Sequence, residues 1–175
     1  GIALLKLGGG DGAHDNTIQN CTFNMQRVNN AGGSGPMVEG SVAINVVNSI
    51  PTAATTALTP TNGGTDATNG TNSNNKFYTN TTNGGNYGIV LSGFAATLGV
   101  GPAPTATTFL GDLNNDIGGT SSGQGNQILD FGGGAATSPA AGIRANNQWS
   151  ANIRFNNINS NTGAGVNHPT TLRGI

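Results

Sequence analysis

The sequence predicts an all-β fold of the stacked, parallel β-helix kind, and three observations carry that prediction. Of the 175 residues 30 are Gly, only 34% are hydrophobic and only 7% are charged. The apolar residues fall in short β-branched groups, "SVAINVV", "GIVLSGF" and "NIRFNNI", separated by Gly, Asn, Thr and Ser. One short theme, Asn followed by a spacer and a bulky apolar residue, recurs along the chain. Long helices need Ala, Leu, Glu, Lys and Arg, and six Lys+Arg with seven Asp+Glu do not supply them. Disordered chains are usually highly charged, whereas the formal net charge here is −1. The low apolar content therefore points to many short strands around a narrow core.

The chain opens on Gly1-Ile2, the first copy of a Gly-Ile element that returns at Gly88-Ile89, Gly142-Ile143 and Gly174-Ile175, with "GSVAI" (40–44) a looser copy. Next, "NTIQNCTF" (16–23) places Ile18 and Phe23 five positions apart. In a straight strand that odd spacing sends them to opposite faces. A left-handed residue between them resets the alternation and lets both face one core, and Asn tolerates that conformation best after Gly. Asn20 is the expected corner. "NKFYTNTT" (75–82), "NQILDFGG" (126–133) and "NIRFNNIN" (152–159) superimpose on it, aligning Phe77, Ile128 and Ile153 with Ile18. Asn156, or its neighbour Asn157, is the expected corner of the last.

If each circuit of chain returns above itself, strands stack in parallel and the core is a column of Ile, Val, Leu and Phe. Asn side chains at equivalent corners then bond one another and the backbone, as amide ladders do in other stacked-strand structures. Two insertions leave this column, at about 51–75, with almost no large apolar residue, and at about 95–114, which carries Pro102 and Pro104. The whole of 1–175 reads as one segment. Because Gly1-Ile2 and Gly174-Ile175 stop in mid-theme, the expectation is an excerpt of a longer β-helix, or a unit stacking end to end on others.

"NTIQNCTF" resembles the rung of right-handed parallel β-helices of the pectin-lyase-like superfamily. "NNDIGGTSSGQGNQI" (114–128) is similar to an element of large secreted β-helix proteins of Bacteroidetes-type bacteria, matching at Asn115, Ile117, Gly118, Gly119, Thr120, Gly123, Gly125, Asn126 and Ile128. The resemblance implies the right hand of the helix and a secreted or cell-surface bacterial location. It is weak for function, because such scaffolds carry lyases, hydrolases and adhesins alike.

Few side chains are candidates for chemistry. "GDGAHD" gathers Asp11, His14 and Asp15 in one turn, a composition that a metal or an acid/base pair could use, but turns collect Gly, Asp and Asn for backbone reasons and the ordinary turn is the expectation. "GDLNND" offers Asp112, Asn114 and Asp116 at the one-three-five spacing of a calcium loop. Ile117 stands where such a loop needs Gly, and Gly123 where it needs a bidentate carboxylate. Tyr78, Tyr87 and Trp149 are candidates for stacking on sugar rings. No catalytic set is expected: the paired aspartates, Gly-His-Gly and Arg-x-Lys of polygalacturonase-like enzymes and the arginine pattern of pectate lyases do not occur. Near-neutral charge without a basic run argues against nucleic acid, and no apolar run is long enough to insert in a membrane. One cysteine, Cys21, excludes an internal disulfide.

The expectation is a non-enzymatic secreted or cell-surface segment, an adhesin, stalk or filament-like element meeting glycans or neighbouring β-helix segments. The alternative is a polysaccharide-processing lyase or glycoside hydrolase. Ice binding is a third idea, disfavoured because Thr clusters in loops.

Overall fold

The computed structural model describes residues 1–28, 40–53, 69–94, 97–98, 109–133, 139–160, 168 and 170–175. Among the described residues there are seventeen short strands: β1 (Ile2–Leu4), β2 (Thr17–Gln19), β3 (Thr22–Met25), β4 (Val42–Val47), β5 (Lys76–Tyr78), β6 (Thr81–Gly84), β7 (Tyr87–Ser92), β8 (Thr97–Leu98), β9 (Phe109–Leu110), β10 (Asp112–Leu113), β11 (Asp116–Ile117), β12 (Gln127–Leu129), β13 (Ala140–Asn146), β14 (Gln148–Trp149), β15 (Asn152–Ile153), β16 (Asn157–Asn159) and β17 (Leu172–Arg173). The fold is all-β with parallel sheets.

Three sheets take up strands in turn. The first has the order β1-β4-β7-β13-β17, the second β15-β11-β5-β2 and the third β16-β12-β6-β3, all pairs parallel. A fourth, two-stranded sheet joins β10 to β14, and β8 with β9 forms an antiparallel pair. Four successive tiers thus begin at β1, β4, β7 and β13.

Register aligns the apolar residues in columns. Ile2, Ile44, Ile89 and Ile143 share one column, so the Gly-Ile theme and its looser copy "GSVAI" fall in register. Gly88 and Gly142 let the backbone run against the third sheet: a Cβ there would lie 2.5 Å from the Cγ2 of Ile128 or Ile158. Ile18, Phe77, Ile117 and Ile153 make the second column, and Phe23, Thr82, Ile128 and Ile158 the third. The alignment of Ile128 with Ile18 is therefore corrected: Ile128 stands with Phe23, and Ile117 occupies the place of Ile18.

The columns merge in one core built on Ile18, Ile44, Phe77, Ile89, Ile117, Ile128 and Ile143, with Ile2, Leu4, Phe23, Ile153 and Ile158 of the first and last tiers half-buried against it. Thr82 is its polar exception. Its hydroxyl is buried without a hydrogen-bond partner. Thr82→Val keeps the shape and removes that desolvated group, so it is expected to stabilise by about 1 kcal/mol in a urea melt.

The first sheet departs from alternation. Every residue of β7 and all but the first of β4 are buried, so both faces are covered. Tyr87, Val90 and Ala141 form a second apolar cluster there. Strands buried on both faces read as near-continuous apolar runs, as "VAINVV" does apart from Asn45 and "YGIVLS" apart from Ser92.

The corner at Asn20 is as expected, left-handed at φ 58° between β2 and β3. At the last copy the left-handed residue is Phe155 (φ 59°), not Asn156. Asn156 instead enters an amide column. Asn80 gives its backbone N–H and its Nδ2 to Asn126 Oδ1 (2.9 and 3.1 Å), and Asn126 gives the same two groups to Asn156 Oδ1 (3.1 and 2.8 Å). A second column runs from Asn16 through Asn75 to Asn115 in the same pattern. Spare Nδ2 hydrogens go to backbone carbonyls, Asn80 to Ile18 and Asn126 to Phe77.

Of 51–75, residues Thr71, Asn72, Ser73 and Asn75 are buried, and of 95–114, β10 is already paired. Most of the intervening loops lies outside the described residues.

Candidate functional site

The chain makes a second line of corners before β2, β5, β11 and β15. Asp15 (φ 57°), Asn74 (φ 58°), Asn114 (φ 55°) and Ser150 (φ 51°) are all left-handed there. Backbone bonds lock them tier on tier: Asp15 N to Ser73 O (3.0 Å), Asn74 N to Leu113 O (2.9 Å) and Asn114 N to Trp149 O (3.0 Å). All four corner residues are exposed.

Between the first three tiers lies an open cleft of about 250 Å³, lined by His14, Asp15, Ser73, Asn74, Leu113 and Asn114, with Asn69 and Thr71 completing it. His14 Nδ1 is 2.7 Å from Asp15 Oδ2. Thr71 Oγ1 and Ser73 Oγ are 2.6 Å apart and buried, and Ser73 Oγ accepts from Leu113 N (2.9 Å). Asn114 Nδ2 donates to Asn74 Oδ1 at 3.4 Å. Such a lining offers carboxylate, imidazole, amide and hydroxyl groups together, a chemistry that exchanges hydrogen bonds with hydroxylated ligands.

"GDGAHD" thus contributes His14 and Asp15 to the cleft. Asp11 does not line it; its backbone instead bridges to Gly8.

The "GDLNND" residues are engaged separately. Asp112 is 1% exposed, and its Oδ1 accepts from Asn72 N (2.9 Å) and its Oδ2 from Asn48 Nδ2 (2.9 Å). Asn114 is a cleft corner. Asp116 accepts from Gly119 N (3.0 Å), Asn152 Nδ2 (2.6 Å) and the Tyr78 hydroxyl (2.8 Å). Among the described residues no three His, Cys, Asp or Glu side chains gather as a metal-holding group.

Burial pushes the Asp112 carboxyl above its ordinary 3.8, while bonds from Asn48 and Asn72, the Lys6 charge and Gln148 pull it back. Lys6 is itself buried, donating from Nζ to Gly70 O and lying 5.2 Å from the centre of the Phe94 ring. A raised folded-state value means that the native state holds its proton longer. The stability Asp112 contributes is full below pH 3.8 and is lost as pH rises through the folded value. Urea midpoints taken between pH 3.5 and pH 7 are expected to fall more for the native chain than for Asp112→Asn, whatever the variant's absolute stability. Parallel curves would contradict this.

Of the stacking candidates, Tyr87 is corrected: it is 4% exposed, with its hydroxyl given to Pro139 O (2.7 Å) and Arg144 over its ring. Tyr78 is half-buried, and burial with its bond to Asp116 pushes its hydroxyl up to about 12. Trp149 is 44% exposed and pairs in register with Leu113 of the cleft. The cleft itself was not foreseen, because its Thr71, Ser73 and Asn74 lie in a stretch that reads as loop. The signal within it is Asn75, the start of "NKFYTNTT", which stands in the amide column directly after the Asn74 corner. Compared with known proteins, the chain matches no family model, no curated protein and no solved structure.

Proposed function

We propose that this chain is a segment of a right-handed parallel β-helix serving outside a bacterial cell as a non-enzymatic structural or adhesive element. The observation that carries the reading is the use of its polar interior. Asn75, Asn80, Asn115 and Asn126 are fully buried and bond from tier to tier, and the Asp112 carboxylate joins the same kind of bracing with Asn48 and Asn72. Polar side chains so employed hold backbone at a fixed spacing, the requirement of a stalk. Strands that enter three parallel sheets in turn support the helix, and the strong preference of parallel connections supports its right hand. The resemblance of "NNDIGGTSSGQGNQI" to secreted bacterial β-helix proteins supports the location.

Polysaccharide processing is the second reading, favoured by the His14–Asp15 pair in an open cleft. Incubation with pectin, alginate, xylan and cellulose, followed by assay of new reducing ends and unsaturated products, separates the two. No release above buffer is expected. Sustained release that is lost in His14→Ala would overturn the first reading and establish the second.

A further inference from the structure

We propose that the corner column Asp15, Asn74, Asn114 and Ser150, together with its cleft and Trp149, is a binding strip for a neutral linear oligosaccharide, about one sugar ring to each tier. The inference rests on the stacked-tier reading above and gives that scaffold a ligand. Four left-handed corners place four exposed polar side chains at the same point of successive tiers. Strands of one sheet are about 4.8 Å apart, so these groups repeat at a distance comparable to one pyranose unit of an extended glycan.

Their chemistry suits vicinal hydroxyls. A carboxylate accepts, a carboxamide both donates and accepts, and a serine hydroxyl does either. At about 250 Å³ the cleft has room for one small polar ring, with the hydroxyls of Thr71 and Ser73 among its walls. One tier beyond Leu113, the exposed Trp149 supplies an apolar face of the kind that packs on the C–H side of a sugar. The strip holds one carboxylate, Asp15, against His14, and none of its residues is Lys or Arg. An acidic glycan would meet no compensating charge, which selects neutral chains.

Trp149 is the single tryptophan, so its fluorescence reports on the strip alone. The purified chain is titrated with cellotetraose, xylotetraose and mannotetraose, with the matching disaccharides, and with tetragalacturonate. A saturable change is expected for at least one neutral tetrasaccharide, with its disaccharide and tetragalacturonate about tenfold weaker or silent. Asn74→Gly and Asn114→Gly keep the left-handed backbone while removing the amide, and each is expected to weaken binding about three- to tenfold with an unchanged circular dichroism spectrum. No response to any neutral tetrasaccharide overturns the strip, as does binding that ignores both glycine variants or is equally tight for tetragalacturonate. Chromatography of the sugars after titration keeps the two proposals apart. Intact sugar without binding removes the strip and leaves the structural reading standing, whereas cleaved sugar removes the structural reading.

Discussion

Asn126→Ala is expected to lower stability by about 2–6 kcal/mol, because it leaves two buried N–H donors unpaired at about 1–3 kcal/mol each. Asn126 and Asn80 are both fully buried. The substitution strips the acceptor from Asn80 N and from one Asn80 Nδ2 hydrogen, while Phe77 O keeps the Gly118 N–H as its donor. None of these groups can turn to water without opening the stack. Asn157 also bonds across tiers, to Gln127 Oε1 at 2.7 Å, but it is exposed. Asn157→Ala should therefore cost no more than about 0.5 kcal/mol. Stacked repeats can lose all-or-none unfolding, so hydrogen exchange at Asn80 N and Gln127 N accompanies the urea melts. The double variant Asn80→Ala/Asn126→Ala should cost less than the sum of its parts, by about 1–3 kcal/mol. Strict additivity would show that the amides do not act as a column.

Phe77→Ala is expected to cost about 3–5 kcal/mol, the range for emptying a fully buried aromatic site. Phe77 is 0% exposed and stands in register between Ile18 and Ile117, in the middle of the second apolar column. Collapse around the cavity is resisted because Asn75 and Asn80, on either side of β5, are pinned to neighbouring tiers. Phe77→Leu, which keeps most of the volume, should cost less than half as much. Ile153→Ala, in the half-buried last tier, should also fall well below it. Equal losses at 77 and 153 in matched urea melts would mean that the core does not deepen toward the middle tiers.

The corner at Asn20 was legible because a spacing of five between Ile18 and Phe23 admits few backbones, and Asn relieves the left-handed one. Amide bracing was legible in kind, since Asn recurred at fixed places ahead of apolar residues. The same regularity caused the misalignment of Ile128. Asn-x-apolar precedes the second sheet at Asn16, Asn75 and Asn115, and precedes the third at Asn126 and Asn156, while Asn80 leads to the polar Thr82. A motif that serves two sheets cannot by itself say which. "GGTSSGQG" between Ile117 and Asn126 hides that these two strands belong to one tier; a Cβ on Gly118 (φ 105°) would lie 1.8 Å from Arg154 O, so the detour begins where only Gly fits.

Phe155 shows the opposite limit. An aromatic residue carries no local preference for φ 59°, and it takes that value because Asn156 is held in the column behind it. The burial of Thr71, Asn72 and Ser73 was invisible to hydrophobicity for a related reason: Asn72 donates to Asp112 and accepts from Ala13, Ser73 accepts from Leu113, and the Thr71 and Ser73 hydroxyls bond each other, with no apolar contact needed. His14 and Asp15 could be singled out as a pair, but their cleft depends on corners far away in sequence.

Backbone NOEs measured on the labelled chain test the central claim, parallel tiers in the stated register, most directly. Hα to amide-proton cross-peaks of parallel strands are predicted to link Ile18 with Phe77, Phe77 with Ile117 and Ile117 with Ile153, and likewise Phe23, Thr82, Ile128 and Ile158. Close Hα–Hα cross-peaks of antiparallel strands at these positions, or backbone cross-peaks pairing Ile128 with Phe77 in place of Thr82, would contradict it.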